Sequence, residues 1–185
     1  MRITVLRLGH RKKRDVRLTT HCCLAARALL ADEIVLSGEE DPTPLETVRK
    51  VTAKWGGRFK ASYQKNWRRW LEKEKKAGAV AVHLTFYGLP LLREIAGIRK
   101  KAARKKIVVI IGAEKVPSEV YKLADFNIGV TSQPHSEVAA LALFLHELVK
   151  GSELSDARQG KAFGKAELRI NPMAAGKQVI NRSKR

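Results

Sequence analysis

Several things are scarce in this 185-residue chain, and each scarcity excludes a class of protein. No apolar run approaches the eighteen or so residues that a membrane span requires. Met1 leads straight into Arg2-Ile-Thr-Val-Leu-Arg-Leu8, a strand-like segment without the apolar core and small-residue cleavage site of a secretory signal, so a cytoplasmic protein is expected. Only two cysteines occur, Cys22 and Cys23. They are neighbours, so a disulfide between them would be strained, and no second pair completes a zinc framework. Both read as buried helix residues. The five histidines (His10, His21, His83, His135, His146) lack metal-ligand spacing, and no metal is expected. Gly-x-Gly-x-x-Gly is missing, which removes the dinucleotide fingerprint. Gly160-Lys-Ala-Phe-Gly164-Lys165 only superficially resembles a Walker A loop, because Ser or Thr does not follow the lysine.

Acidic residues are also scarce: 18 Asp and Glu stand against 37 Lys and Arg, a net charge of +19. A solvated surface mixes its signs, whereas a two-to-one surplus creates a field that attracts polyanions. Nucleic acid is the expected partner. An anionic membrane is the weaker candidate, because no clean amphipathic basic helix stands out. Growth at high temperature also raises lysine and arginine content. The cations cluster at 7–17, at 58–69 with Tyr63, Trp67 and Trp70 interleaved, at 99–106 and in the tail from Lys161 onward. Aromatic rings among cations can stack on unpaired bases. At a spacing of three, however, Trp67 and Trp70 read first as the buried stripe of a helix.

Strand and helix patterns alternate along the chain. Strands are expected at 2–8, 33–36, 58–63, 79–84, 107–111 and 126–130. Helices are expected at 19–30, at 44–54 behind a Thr43-Pro44-Leu45-Glu46 capping box, at 65–77, at 117–123, and at 137–150 behind Ser136 as N-cap. Ile107-Val-Val-Ile-Ile111 is a continuous apolar run, the signature of a central parallel strand covered on both faces. The helix opened by Ser136 is apolar nearly all round, which implies burial in a core or a subunit interface. Residues 151–160 read as a polar linker, with two short strands at 166–170 and 178–180 after it. The fold class is α/β, with a mainly parallel sheet flanked by helices over 1–150 and a basic extension over 151–185.

Ligands in parallel α/β sheets bind beyond the carboxyl ends of the strands. Three loops with fitting composition follow expected strands: Leu84-Thr-Phe-Tyr-Gly88, Gly112-Ala-Glu-Lys-Val-Pro117, and Val130-Thr-Ser-Gln-Pro-His-Ser-Glu137. Gly112 allows close approach to the backbone, and Thr131, Ser132, Gln133 and Ser136 supply donors and acceptors. Together the loops suggest a nucleoside-like ligand. His135 reads as structural or ligand-adjacent, Ser136 lacks a partner for nucleophilic work, and His146 reads as a packed histidine.

Longer strings then carry a resemblance. Leu6-Arg-Leu-Gly-His-Arg-Lys-Lys-Arg-Asp-Val-Arg-Leu-Thr-Thr-His21, Ile111-Gly-Ala-Glu-Lys-Val-Pro117, and Asn127-Ile-Gly-Val-Thr-Ser-Gln-Pro-His-Ser-Glu-Val-Ala-Ala-Leu-Ala142 resemble the three motifs of the tRNA (cytidine-56-2′-O)-methyltransferases of archaea, in the SPOUT superfamily. The tail from Gly160 to Lys177 is similar to that family's end. Leu30 departs from the pattern at a position where glycine is expected. The resemblance implies an α/β fold with a C-terminal trefoil knot, a rare breach of the no-knot rule. It also implies a homodimer, and S-adenosylmethionine held by Leu84, by Gly112, Ala113, Glu114, Lys115 and Val116, and by Val130, Thr131, Ser132, Gln133, Pro134, His135, Ser136 and Glu137. It implies tRNA as substrate. An arginine of the first motif is expected to act on the ribose hydroxyl, with Arg14 and Arg17 as candidates and His21 next. The tail and the 63–69 region are candidate tRNA contacts. The competing readings are a non-catalytic basic RNA-binding protein and a SPOUT methyltransferase acting on another nucleotide.

Overall fold

A computed structural model describes residues 1–112 and 116–182, and the backbone alone at Val16. Six strands form one sheet: β1 (Arg2–His10), β2 (Glu33–Gly38), β3 (Lys60–Tyr63), β4 (Val80–Pro90), β5 (Lys106–Gly112) and β6 (Phe126–Gly129). Their order is β3-β2-β1-β5-β4-β6, and every adjacent pair is parallel. Between and after them come helices α1 (Val16–Ala28), α2 (Pro42–Trp55), α3 (Trp67–Lys76), α4 (Leu91–Lys101), α5 (Ser118–Leu123) and α6 (Glu137–Leu148). A 3₁₀ turn (Ser152–Leu154), α7 (Asp156–Phe163) and an antiparallel hairpin of β7 (Leu168–Asn171) and β8 (Gln178–Asn181) complete the described chain.

The period-2 alternation of strand side chains sorts the core into two layers. Ile3, Val5, Ile34, Val82, Val109 and Ile111 face Cys22, Val48, Ile98, Leu141 and Phe144 of α1, α2, α4 and α6. Leu6, Val35, Ala81, Val108 and Ile110 face Leu71 of α3 and Val120 of α5. Ile107–Ile111 is therefore buried on both faces, as its unbroken apolar run predicts. Trp67 and Trp70 pack against the second layer, so they serve the core. Burial pushes both cysteine thiols up to about 12, which keeps them neutral.

Local chemistry moves several boundaries. The N-cap of α1 is Asp15, so the helix begins three residues before Thr19. The cap of α2 is Asp41, whose carboxylate accepts the Thr43 N–H at 2.9 Å with Pro42 in the first turn; Thr43 does not cap it. The apolar spacing of Leu91, Ile95 and Ile98 makes α4 a helix where no element was expected, its stripe obscured in the sequence by a basic cluster. Residues 151–160 are no linker. Ser155 caps α7 by accepting the Arg158 N–H, and Phe163 lies under the Arg27 guanidinium at 4.8 Å. His146 is not packed away either: its side chain is 43% exposed, and Nδ1 lies 2.7 Å from Oε1 of the fully buried Glu153, which ties the 3₁₀ turn to α6. Helix α6 is buried along Leu141, Phe144, Leu145 and Leu148, while Leu143 stays 50% exposed.

The chain leaves α1 through Leu30 at φ +62°, the left-handed region where a side chain is strained and glycine is favoured. The Leu30 and Ala31 N–H groups close the helix onto the Arg27 and Ala26 carbonyls. Leu30→Gly is expected to raise the unfolding free energy by about 0.5–1 kcal/mol, because relief of about 1–2 kcal/mol of backbone strain exceeds the lost apolar contact and the added unfolded-state entropy. A higher urea midpoint at unchanged slope checks this. A lower midpoint would show that the leucine side chain's packing governs the turn.

Candidate active site

The sheet order sets β5, β4 and β6 side by side, so the loops after all three emerge at one edge. Strand β4 pairs with β6 twice: Leu84 and Leu89 both align with Ile128, and residues 85–88 bulge out between them. A Cβ on Gly88 would lie 2.4 Å from the Ile128 backbone nitrogen, so only glycine permits this contact. The bulge lifts Phe86 and Tyr87 above the sheet edge, and the Phe86 ring meets His135 of the β6 loop edge-on at 4.9 Å. Below lies a cleft of about 590 Å³, within the usual size range of small-molecule sites. Its lining joins the β4 end (His83 to Tyr87) and the β5 end (Ile111, Gly112, Val116) to the loop after β1 (Arg11, Arg14, Asp15) and the start of α6 (Glu137, Ala140). At Gly112 a Cβ would fall 2.1 Å from the Val116 side chain, so a larger residue there would displace Val116 from the cleft wall.

His83 is a polar residue inside an otherwise apolar strand, fully buried at the cleft wall. Its Nδ1 lies 2.9 Å from Asn127 Oδ1, and Asn127 Nδ2 donates to the Tyr121 carbonyl. That orientation of the amide makes Nδ1–H the donor and leaves Nε2 a buried acceptor without a partner among the described residues. Burial holds the imidazole pKa below its ordinary value, partly offset by the Asn127 hydrogen bond, so the ring stays neutral. Tyr121 stacks edge-on at 4.7 Å, and its hydroxyl lies 3.0 Å from Thr85 Oγ1.

Two acid–arginine pairs shape the opposite wall. Arg7, fully buried on β1, places Nη2 2.8 Å from Glu137 Oε1, while its Nε and Nη1 have no hydrogen-bond partner among the described residues. Burial raises the Glu137 pKa, and the Arg7 charge opposes that rise. Asp15 accepts from Arg11 three times: from Nε at 3.0 Å, from Nη2 at 3.3 Å and from the backbone N–H at 3.1 Å. The Arg11 hydrogen bond holds the Asp15 carboxyl below the usual range against its partial desolvation, so it stays ionised and fixes the guanidinium fork. Deeper in, His10 bridges Thr19 Oγ1 at 2.7 Å and Asp41 Oδ2 at 3.2 Å, which anchors the basic loop between α1 and α2.

The residues singled out in the sequence fall into distinct places. Leu84, Gly112, Val116, His135, Glu137 and Arg14 line the cleft. Ser136 caps α6 by accepting the Ala139 N–H at 3.2 Å. Val130 packs against the core, and Thr131, Ser132, Gln133 and Pro134 form an exposed turn in which Thr131 Oγ1 accepts the Gln133 N–H at 2.9 Å. Arg17 and His21 are exposed on α1 outside the cleft lining. Ala113, Glu114 and Lys115 lie outside the described residues. Sequence reasoning passed over Arg7, Arg11, Asp15, His83 and Tyr121. For His83 a signal existed, a histidine inside an apolar strand; for Arg7 the signal was an arginine between Leu6 and Leu8 in the apolar half of a strand. Among the described residues no group of His, Cys, Asp and Glu could hold a metal ion.

Comparison with known proteins places these features in a family. Residues 55–180 match the family described as tRNA ribose 2′-O-methyltransferase, aTrm56. The chain is 48% identical over 179 residues to the tRNA (cytidine(56)-2′-O)-methyltransferase of Methanothermobacter thermautotrophicus, covering 97% of this chain and 96% of that one. It is 47% identical over 180 residues to the protein of the same name from Methanocaldococcus jannaschii, covering 97% of each. Among solved structures it resembles an RNA 2′-O ribose methyltransferase (TM-score 0.60, 15% identity, 83% of this chain and 57% of that one). It also resembles the SpoU methyltransferase AviRb from Streptomyces viridochromogenes in complex with AdoMet (TM-score 0.57, 15% identity, 80% of this chain and 56% of that one). The chain spans less than two thirds of either structure, and at this identity the likeness is one of fold.

The buried pair makes a sharp prediction. Glu137→Gln leaves the Arg7 charge buried without a counter-ion and is expected to cost about 3–5 kcal/mol in urea unfolding. Arg7→Met is expected to cost less, because Glu137 can take up a proton. The double variant is expected to recover most of the loss, giving a coupling energy well above 1 kcal/mol. A Glu137→Gln cost below about 1 kcal/mol would remove the pair from the fold's stability.

Proposed function

The chain belongs to the tRNA ribose 2′-O-methyltransferase family, and from that premise we infer that it transfers a methyl group from S-adenosylmethionine to the 2′-oxygen of the cytidine at position 56 of tRNA. The observation that carries the reading is the convergence of the β4, β5 and β6 loops on one nucleoside-sized cleft with a cationic rim. The cleft fits the cofactor on its own evidence. His83 Nε2 is a buried acceptor that no donor among the described residues satisfies, and Gly112 lines the same cleft without a side chain of its own. Leu84, Gly112, Val116, His135 and Glu137 would hold it, together with the rest of the 113–115 and 130–136 segments.

When bound, the cofactor supplies a methyl on a sulfonium, and its leaving group is neutral, so the protein need not stabilise a developing anion. The chain's own work is to position the ribose hydroxyl and to ease loss of its proton. Arg14 at the rim is assigned to the phosphate beside the target ribose, where its charge lowers the hydroxyl pKa. Arginine itself keeps its proton at working pH. Arg11, locked by Asp15, presents a second fixed cation on the same rim. Arg17 and His21 can share this work only from across a dimer interface or through contacts to the RNA.

The finer architecture is part of the same proposal. Residues 1–150 form the catalytic domain, in which α6 is threaded as the knot helix, and 151–185 form a basic extension. The path of the chain supports the knot: β6 is an edge strand, yet the next helix packs against α1, α4 and the central strands. Homodimer formation is supported by the exposed apolar positions Leu143 on α6 and Leu154 after it. A cytoplasmic site of action follows from a tRNA substrate, and no helix of the described residues is long and apolar enough to cross a membrane.

Incubating unmodified tRNA transcript with the protein and radiolabelled S-adenosylmethionine, then mapping the label, tests the reading. Label on the ribose of cytidine 56 is expected. Cofactor binding without transfer would overturn the substrate, and no cofactor binding would leave a plain RNA-binding protein. Arg14→Ala is expected to lower kcat at least about 100-fold with the cofactor Kd unchanged. An unchanged rate would end its assignment.

A further inference from the structure

A second, larger cavity lies at the opposite end of the sheet, and methyl transfer makes no use of it. It is a groove of about 1090 Å³ between the amino ends of β1, β2 and β3 and the α7 segment. Seven of its lining residues are Arg or Lys, and one is acidic. That acid, Asp32, is already engaged: its Oδ2 accepts the Ile3 N–H at 2.7 Å, which pins the start of β1. Three of the cations have structural duties. Arg2 pairs with Glu33 at 3.3 Å, Arg158 binds Ser152, and Arg27 is buried behind Phe163 with Nη2 donating to the Gly56 carbonyl. The other four, Arg58 and Lys60 on one wall and Lys161 and Lys165 on the other, are exposed, and among the described residues none has a carboxylate partner.

Concave walls lined with one sign of charge focus the field into the space between them. The groove is also unsuited to reading bases. Phe59 is buried, and the Arg27 guanidinium occupies one face of the half-buried Phe163, so the groove offers little ring surface for stacking. Cations without stacking platforms recognise phosphate rather than sequence. We propose that this groove is a docking site for the sugar–phosphate backbone of the RNA substrate, separate from the cleft that performs the chemistry. The RNA's identity rests on the methyltransferase reading above; the groove's polyanion chemistry does not. Strand β1 has nine residues and separates groove from cleft by about 30 Å within one protomer. The groove therefore sets affinity and leaves the methyl-transfer step alone.

The test replaces the four exposed cations together (Arg58→Gln, Lys60→Gln, Lys161→Gln, Lys165→Gln) in the full chain. Binding of tRNA transcript is measured between about 50 and 200 mM salt, and steady-state kinetics follow. Each lost phosphate contact lowers the slope of log K against log salt by about 0.9, so loss of all four is expected to lower it by about 3.6. KM for tRNA is expected to rise about tenfold or more, with kcat and cofactor Kd unchanged. The two paired variants, one per wall, should each show part of the effect, which covers the case in which the fourfold variant folds poorly. An unchanged slope and KM would overturn the proposal, as would a change confined to kcat. The two readings fail separately: a groove-dependent salt slope in a protein that transfers no methyl would sink the enzyme assignment alone.

Discussion

The contact between Arg7 and Glu137 ties together parts of the chain that the order of the strands would otherwise keep apart. Strand β6 sits at the edge of the sheet, and a helix following it would naturally cover that edge. Instead Glu137, the first residue of α6, reaches the fully buried Arg7 on β1, near the sheet's centre. Two opposite charges removed from water must stay together, because separating them leaves one buried and unpaired. The pair therefore holds the start of α6 over the central strands and swings the 130–136 loop back toward the ends of β4 and β5. The cleft exists because of this constraint. Cys22 lies beside the pair in the α1 layer, and its neutral thiol adds no third charge to be balanced.

Around that anchor the cleft combines two kinds of surface. One wall is rigid and nearly neutral, with His83 fixed by Asn127 and braced by Tyr121. The other carries guanidinium groups, of which Arg11 is immobilised by three hydrogen bonds to one carboxylate. A nucleoside-like ligand needs shape and a few placed hydrogen bonds; a ribose beside a phosphate needs fixed positive charge. Each wall is matched to one of these, and the aromatic bulge at 86–87 overhangs both.

The surplus of positive charge is likewise divided by the fold rather than spread over it. Some cations are spent on structure: Lys101 and Lys75 on Asp125, Lys106 on Glu74, and Arg27 on Gly56 and Phe163. Four others, Arg58, Lys60, Lys161 and Lys165, face one another across the groove. A net charge of +19 attracts polyanions at long range, but only concave placement turns that attraction into a defined footprint.

Much of this was legible from residue order. The run Ile107–Ile111 announced a doubly covered parallel strand, Ser136 before an apolar helix announced its cap, and polar loops after apolar runs marked the edge of the sheet where the cleft lies, because backbone periodicity and capping are local properties. Leu30 stood out as a missing glycine, and its φ of +62° gives the reason. The helix α7 was hidden because Gly160 weakens its local propensity; Ser155 caps it locally, and Phe163 is held under Arg27, far away in sequence. Arg7 and Asp15 could not be ranked among 37 basic and 18 acidic residues by composition. Their significance lies in burial and in partners that only folding supplies. The sequence by itself determined the strands, the cap of α6, the charge and the family. The tertiary structure decided which charges are buried together, which are left facing one another across a groove, and which loops share a cleft, because desolvation and proximity depend on distance in space.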